Sequence, residues 1–211
     1  MKKSTQANPL QGFKVFCSML LVAILAIGNI FGQTYEYSMV TESQTDWSGT
    51  YLLTAQRTSD QAYVALTGPT STYGGVASVA EFMAGTVIAS NTTTDAYQVV
   101  IAPTTDGHYT LSMTGQGYMG WASGNSLRFD SQILSDTSKW DITLTDGVLS
   151  ISNVGTSGRH IVYNQSSPRF AAYSSAQTAP VLFKYGVAVP KTAAPVFSSN
   201  TGLLYEATNI T

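Results

Sequence analysis

Charge is scarce in this sequence. Asp, Glu, Lys and Arg together make up 10% of the 211 residues. A coiled coil or a long solvated helix draws heavily on Glu, Lys and Arg, so neither is expected. Cysteine occurs once, as Cys17, near the start of an apolar run rather than after it, so it does not match a bacterial lipoprotein site. If the first 32 residues are removed, no cysteine remains. Disulfides, thiolate catalysis and cysteine metal centres are then excluded. Histidine occurs twice, as His108 and His160, and neither has a second histidine or a carboxylate at ligand spacing. There is no nucleophile elbow and no phosphate loop. "DSQILSD" (130–136) lacks the glycine and the terminal glutamate of an EF-hand calcium loop. No cofactor is implied.

Hydrophobic residues, by contrast, reach 44%, enough to bury a core and unlike a disordered chain. The first of them form "VFCSMLLVAILAIGNIFG", Val15 to Gly32, preceded by Lys2, Lys3 and Lys14. A basic start, an apolar centre and small residues at the end read as a secretory signal peptide over 1–32, in helical form, with cleavage after Gly32 or after Gly28. An uncleaved anchor is the alternative; Gly28 and Asn29 interrupt the run and weigh against it. Three of the 10 basic residues lie in that segment, leaving 7 against 12 acids. No basic run survives, so nucleic acid is not an expected partner. The membrane enters only through the signal segment during export. The expected location is secreted or cell-surface.

From Tyr35 to Tyr185 short β-prone runs alternate with turn residues: "TYLLTA" (50–55), "AYQVVIA" (96–102), "HYTLSM" (108–113), "KWDITL" (139–144), "HIVYN" (160–164), "RFAAY" (169–173) and "PVLFKY" (180–185) among them. "TDG" recurs at 105–107 and 145–147, where Asp-Gly suits a tight hairpin. The one helical candidate is "VASVAEFMAG" (76–85). With the Asp-Gly turns as punctuation, three units appear: Gly49–Gly107, His108–Gly147 and Val148–Gly186. The second and third each open on an alternating strand, place "LRF" or "PRFAAY" in the middle, and close on an aromatic-rich strand. The first carries an insertion around "GPTSTYGG" (68–75). Units of about forty residues with about four strands each cannot bury both faces alone, but three closed around an axis can. The expected fold is all-β and β-trefoil-like over 33–186, with a β-sandwich or an irregular barrel as alternatives. Residues 187–194, "VAVPKTAA", read as a linker, and 195–211 as the truncated start of a further β module.

Two stretches carry resemblances. "GTYLL" (49–53), "GRHIVYN" (158–164), "PRFAAY" (168–173) and "VLFKY" (181–185) resemble a poorly characterised accessory module of secreted multidomain Bacteroidetes proteins. The tail "AAPVFSSNTGLLYEATNIT" (193–211), with Pro195, Phe197, Gly202 and Tyr205, resembles the opening of the Ig-like repeat at the C-terminus of chitobiase- and hexosaminidase-type enzymes. Both resemblances imply chained extracellular modules in a longer parent chain, with any catalytic domain elsewhere.

The sharpest functional option is carbohydrate binding. Sugar rings stack on exposed aromatics, while amides and guanidinium groups bind their hydroxyls. "IVYNQSSPRFAAY" (161–173) offers Tyr163, Asn164, Arg169 and Tyr173, and the matching part of the second unit offers Trp121, Asn125 and Arg128. Alternation in "RFAAY" sets Arg169 and Tyr173 on one face and Phe170 on the other. If Phe170 is core, the first two point outward, toward a ligand or toward the turn "NQSSP". A spacer or protein-interaction domain without a small ligand is the reading from another class. A third, weaker one is a hydrolase using two of Asp130, Asp136 and Asp141. "NTT" (91–93), "NQS" (164–166) and "NIT" (209–211) fit the N-glycosylation pattern, and within 161–173 Asn164 reads as a turn residue.

Overall fold

The computed structural model describes residues 33–189. The expected signal helix, the tail module and most of the expected linker lie outside them. Within them the regular secondary structure is almost wholly strand. The first unit comprises β2 (Gly49–Gln56), β3 (Tyr63–Thr70), β4 (Tyr73–Ser78) and β7 (Gln98–Pro103). The second comprises β8 (Tyr109–Met113), β9 (Gly117–Gly120), β10 (Arg128–Asp130) and β11 (Trp140–Thr145). The third comprises β12 (Val148–Asn153), β13 (His160–Asn164), β14 (Arg169–Tyr173) and β15 (Val181–Val187). A leading strand, β1 (Tyr35–Met39), adds to β15.

The pairing follows the threefold plan. The first and last strands of the units form a barrel through the antiparallel ladders β2·β7, β7·β8, β8·β11, β11·β12 and β15·β2. The two middle strands of each unit form a hairpin, β3·β4, β9·β10 and β13·β14. The hairpins of the first and third units meet at Phe170 and Gly74. This is the β-trefoil arrangement. One sheet closes round on itself, from β12 through β13, β14, β4 and β3 back to β2, so two facing sheets of a sandwich are set aside.

The repeat also explains the core. Tyr51, Leu53, Val99, Leu111, Trp140, Ile151, Tyr163 and Phe170 come from all three units and are buried in one cluster. Trp140 is fully buried in it with its indole N–H donating to Met119 O at 2.9 Å, so even the polar edge of the ring is satisfied. Burying a side chain of this size stabilises by about 1.5–3 kcal/mol.

The first unit departs from the sequence expectation. "GPTSTYGG" is no insertion; it is the turn of the β3–β4 hairpin, with a register shift between Leu66 and Pro69 at Gly68. The inserted piece lies later, between β4 and β7. Residues 76–85 do not form a helix: β4 runs to Ser78, a single 3-10 turn covers Ala80–Phe82, and β5 (Met83–Ala84) follows. Then come β6 (Val87–Ala89), which pairs with β1, and α1 (Thr92–Asp95). Val79 and Ile88 from this excursion pack with Tyr37, Leu52, Ala65 and Phe183 in a second buried cluster outside the barrel. That second layer is why Tyr51 to Ala55 are all buried, with no alternation: both faces of β2 are covered.

Candidate binding surfaces

The hairpin of β13 and β14 pairs Tyr163 with Phe170 and Asn164 with Arg169. Phe170 is core, as alternation requires, and Tyr163 packs on it with ring centroids 5.6 Å apart. Tyr163 is 1% exposed and burial raises its phenol pKa, so it offers no face to a ligand. Tyr173, expected outside, is 5% exposed. The two expectations are corrected for different reasons: Tyr163, on β13, shares the core side with Phe170, whereas Tyr173 is on β14, which lies against β4 of the first unit and is buried on both sides.

Asn164 and Arg169 are half-buried and engaged. Asn164 Oδ1 accepts from the backbone N–H of Ser166 and Ser167, both at 3.0 Å, which closes the turn. Its Nδ2 donates to the Tyr173 hydroxyl at 2.8 Å. Arg169 donates to the same hydroxyl from Nε and Nη2 at 3.0 and 2.9 Å, and its guanidinium lies 4.1 Å above the ring of Tyr73. Next in the chain, the Gln165 carboxamide donates to Gln56 O and to the Thr178 hydroxyl, both at 2.9 Å. The stretch is thus a clamp between the first and third units.

The second unit's set is divided. Arg128 binds Asp130 within its own strand and donates from Nη2 to Thr137 Oγ1 at 3.2 Å. Trp121 and Asn125 do meet, but through a residue the sequence reading passed over. Arg159 of the third unit lies 5.7 Å over the Trp121 ring and donates to Asn125 Oδ1 at 2.8 Å. The Trp121 indole N–H is taken by Gly124 O at 3.0 Å. The signal for Arg159 was present in "GRHIVYN", but nothing local tied it to a partner thirty-odd residues upstream.

The acidic residues do not gather. Asp130 faces Arg128, Asp141 accepts from His108 at 2.6 Å, and Asp136 shares Lys139 with Asp106. The Lys139 ammonium, with the Thr104 hydroxyl, holds the Asp106 carboxyl down to about 2. Asp130 and Asp141 each have a separate counter-group, and Asp106 and Asp136 meet only through the Lys139 ammonium between them, so the three candidate acids Asp130, Asp136 and Asp141 are not paired with one another. Among the described residues no group of three His, Cys, Asp or Glu side chains could hold a metal, and no helix is long and apolar enough to cross a membrane.

An open pocket of about 330 Å³ lies in the third unit, where the threefold plan is incomplete. In the first two units the first and last strands pair, as β2·β7 and β8·β11. No ladder joins β12 to β15. Instead the connection 174–180 runs beside β13, bonding through Tyr163 N to Thr178 O at 2.9 Å and back at 3.1 Å. β12 keeps a single ladder pair with β13, Ser152 with His160, and diverges from it toward Val148. The pocket opens in that divergence. β12 supplies Val148 and Ser150, β13 supplies His160 and Val162, and the connection supplies Ser175 and Gln177. His160 Nδ1 and Ser150 Oγ are 3.1 Å apart across the floor.

No protein-family model matches the chain, and no curated protein matches it. Among solved structures, it is similar to a lectin from Polyporus squamosus, solved bound to a human-type influenza-binding epitope, at 12% identity and a TM-score of 0.47, over 68% of this chain and 50% of the lectin. It is also similar to the lysenin pore, at 9% identity and a TM-score of 0.44, over 71% of this chain and 50% of that one. The chain therefore spans half the length of each.

Proposed function

We propose that this protein is a non-catalytic, glycan-binding accessory module of an exported multidomain protein, and that its ligand site is the pocket of the third unit. The observation that carries the reading is the make-up of that pocket. Hydroxyls, an imidazole and a carboxamide stand beside the aliphatic faces of Val148 and Val162. A sugar ring has the same two-sided chemistry, with hydroxyls at its edge and C–H groups on its faces. The basic and apolar segment over 1–32 supports export, and the low charge with abundant Ser, Thr and Tyr suits an extracellular surface.

The engaged state of Asn164, Arg169 and Tyr173 favours a second reading, in which the module is a spacer or protein-interaction domain. A glycan array decides between them. The purified protein is expected to bind at least one glycan class, and Ala176→Trp, on the exposed rim of the pocket, is expected to abolish that binding while leaving the far-ultraviolet circular dichroism unchanged. A folded wild-type protein that binds no glycan would put the spacer first.

A further inference from the structure

Resting on the glycan reading, we infer that the pocket of the third unit selects uncharged pyranosides and rejects sialylated or uronate-bearing glycans. The lining contains no Lys, Arg, Asp or Glu. His160 is its one ionisable side chain, and its Nδ1 is already matched by the Ser150 hydroxyl. A sugar carboxylate seated here would lose water and gain no Lys or Arg side chain in return, which is costly in any partly enclosed site. The strongest hydrogen bonds to carboxylates come from guanidinium and ammonium groups. The two arginines of the third unit are committed: Arg159 to Asn125 and Trp121, Arg169 to Tyr173 and Tyr73.

A neutral ring meets no such cost. Its hydroxyls can exchange hydrogen bonds with Ser150, His160, Ser175 and Gln177, each of which both donates and accepts or does so through paired atoms. β12 adds main-chain groups. Asn153 N donates to Arg159 O, so alternate residues of β12 turn their peptide groups to this edge. Beyond the pair of Ser152 with His160 that edge has no strand partner. Leu149, which lines the pocket, is thereby placed to present its peptide edge to a ligand. The missing ladder of the third unit is the feature that makes room for a ligand and leaves it main-chain partners.

The test is isothermal titration of the full-length protein with methyl glycosides of glucose, galactose, mannose and N-acetylglucosamine, beside those of sialic acid and glucuronic acid. At least one neutral glycoside is expected to bind, with the two acids weaker by about tenfold or more. Ser150→Ala and Gln177→Ala are each expected to weaken the neutral ligand by about threefold to tenfold, the range for one uncharged hydrogen bond. An acid that binds as tightly as the best neutral sugar overturns the charge selectivity and leaves glycan binding standing. Neutral binding untouched by both variants, with Ala176→Trp also silent, overturns the placement of the site. No binding by any sugar to the folded protein overturns the glycan reading itself.

Discussion

Gly117 and Gly147 both hold a positive φ, +100° and +76°, yet they are not equally replaceable. A Cβ at Gly117 would lie 2.3 Å from Asp130 O, a backbone atom that cannot swing aside, whereas a Cβ at Gly147 meets nothing within 4 Å. Gly117→Ala therefore combines a left-handed backbone with a clash, and is expected to cost about 2 kcal/mol or more in urea unfolding. Gly147→Asn is expected to cost less than about 1 kcal/mol, because asparagine tolerates the left-handed region. Equal losses in the two variants would mean that the β9–β10 contact yields where the structure makes it rigid. The same scale shows what the sequence could convey about the candidate site. Phe170 is readable as core because alternation is local. The fate of Arg169 is not, since one of its two partners, Tyr73, sits in a different unit. Long polar side chains commit themselves through tertiary contacts that spacing cannot reveal, and that is why Asn164 and Arg169 are found engaged with Tyr173 and Tyr73.

At the scale of elements, the strands and the second Asp-Gly hairpin were legible. Asp146 and Gly147 form the two-residue loop between Thr145 and Val148, both at positive φ as that turn demands. The first Asp-Gly sits in a longer loop, between the paired residues Pro103 and Tyr109, closed by the Thr104 hydroxyl. The excursion between β4 and β7 was misplaced, because its elements are only two to four residues long and leave no period to read. What holds it is capping. Asn91 Oδ1 accepts from the N–H of Thr93 and Thr94, and the Thr94 hydroxyl accepts from Asn91 N. The asparagine that fits a glycosylation pattern thus spends its side chain starting α1. From α1, Asp95 accepts from the buried Tyr37 hydroxyl and ties the excursion to β1. Asn91→Ala is expected to cost about 1 kcal/mol. Hydrogen exchange is expected to quicken at Thr93, Thr94 and Tyr97, while the amides of Leu53 and Leu111 keep their protection. Uniform quickening across the barrel would show that the excursion is part of the cooperative core instead of an outer layer.

Across the whole molecule, two buried tyrosines link the layers to the pH. Tyr51 lies in the barrel core, and burial pushes its phenol up to about 12. Tyr37 lies in the outer cluster, and burial, with Asp95 as hydrogen-bond partner, raises it too. In the unfolded chain tyrosine titrates near about 10. A folded-state pKa above the unfolded one means that the native protein holds protons the unfolded chain has released. The stability from these two groups is then fully present below about pH 10 and is lost as pH rises from there through the folded values. The urea midpoint is expected to be flat between about pH 7 and 9 and to fall above about pH 10, with the fall shallower in Tyr51→Phe than in the wild type. An unchanged slope in that variant would place the alkaline loss in Tyr37, in the lysines or in general charge repulsion. Such a result would also mean that the barrel interior at Tyr51 admits water, in the one core that all three units share.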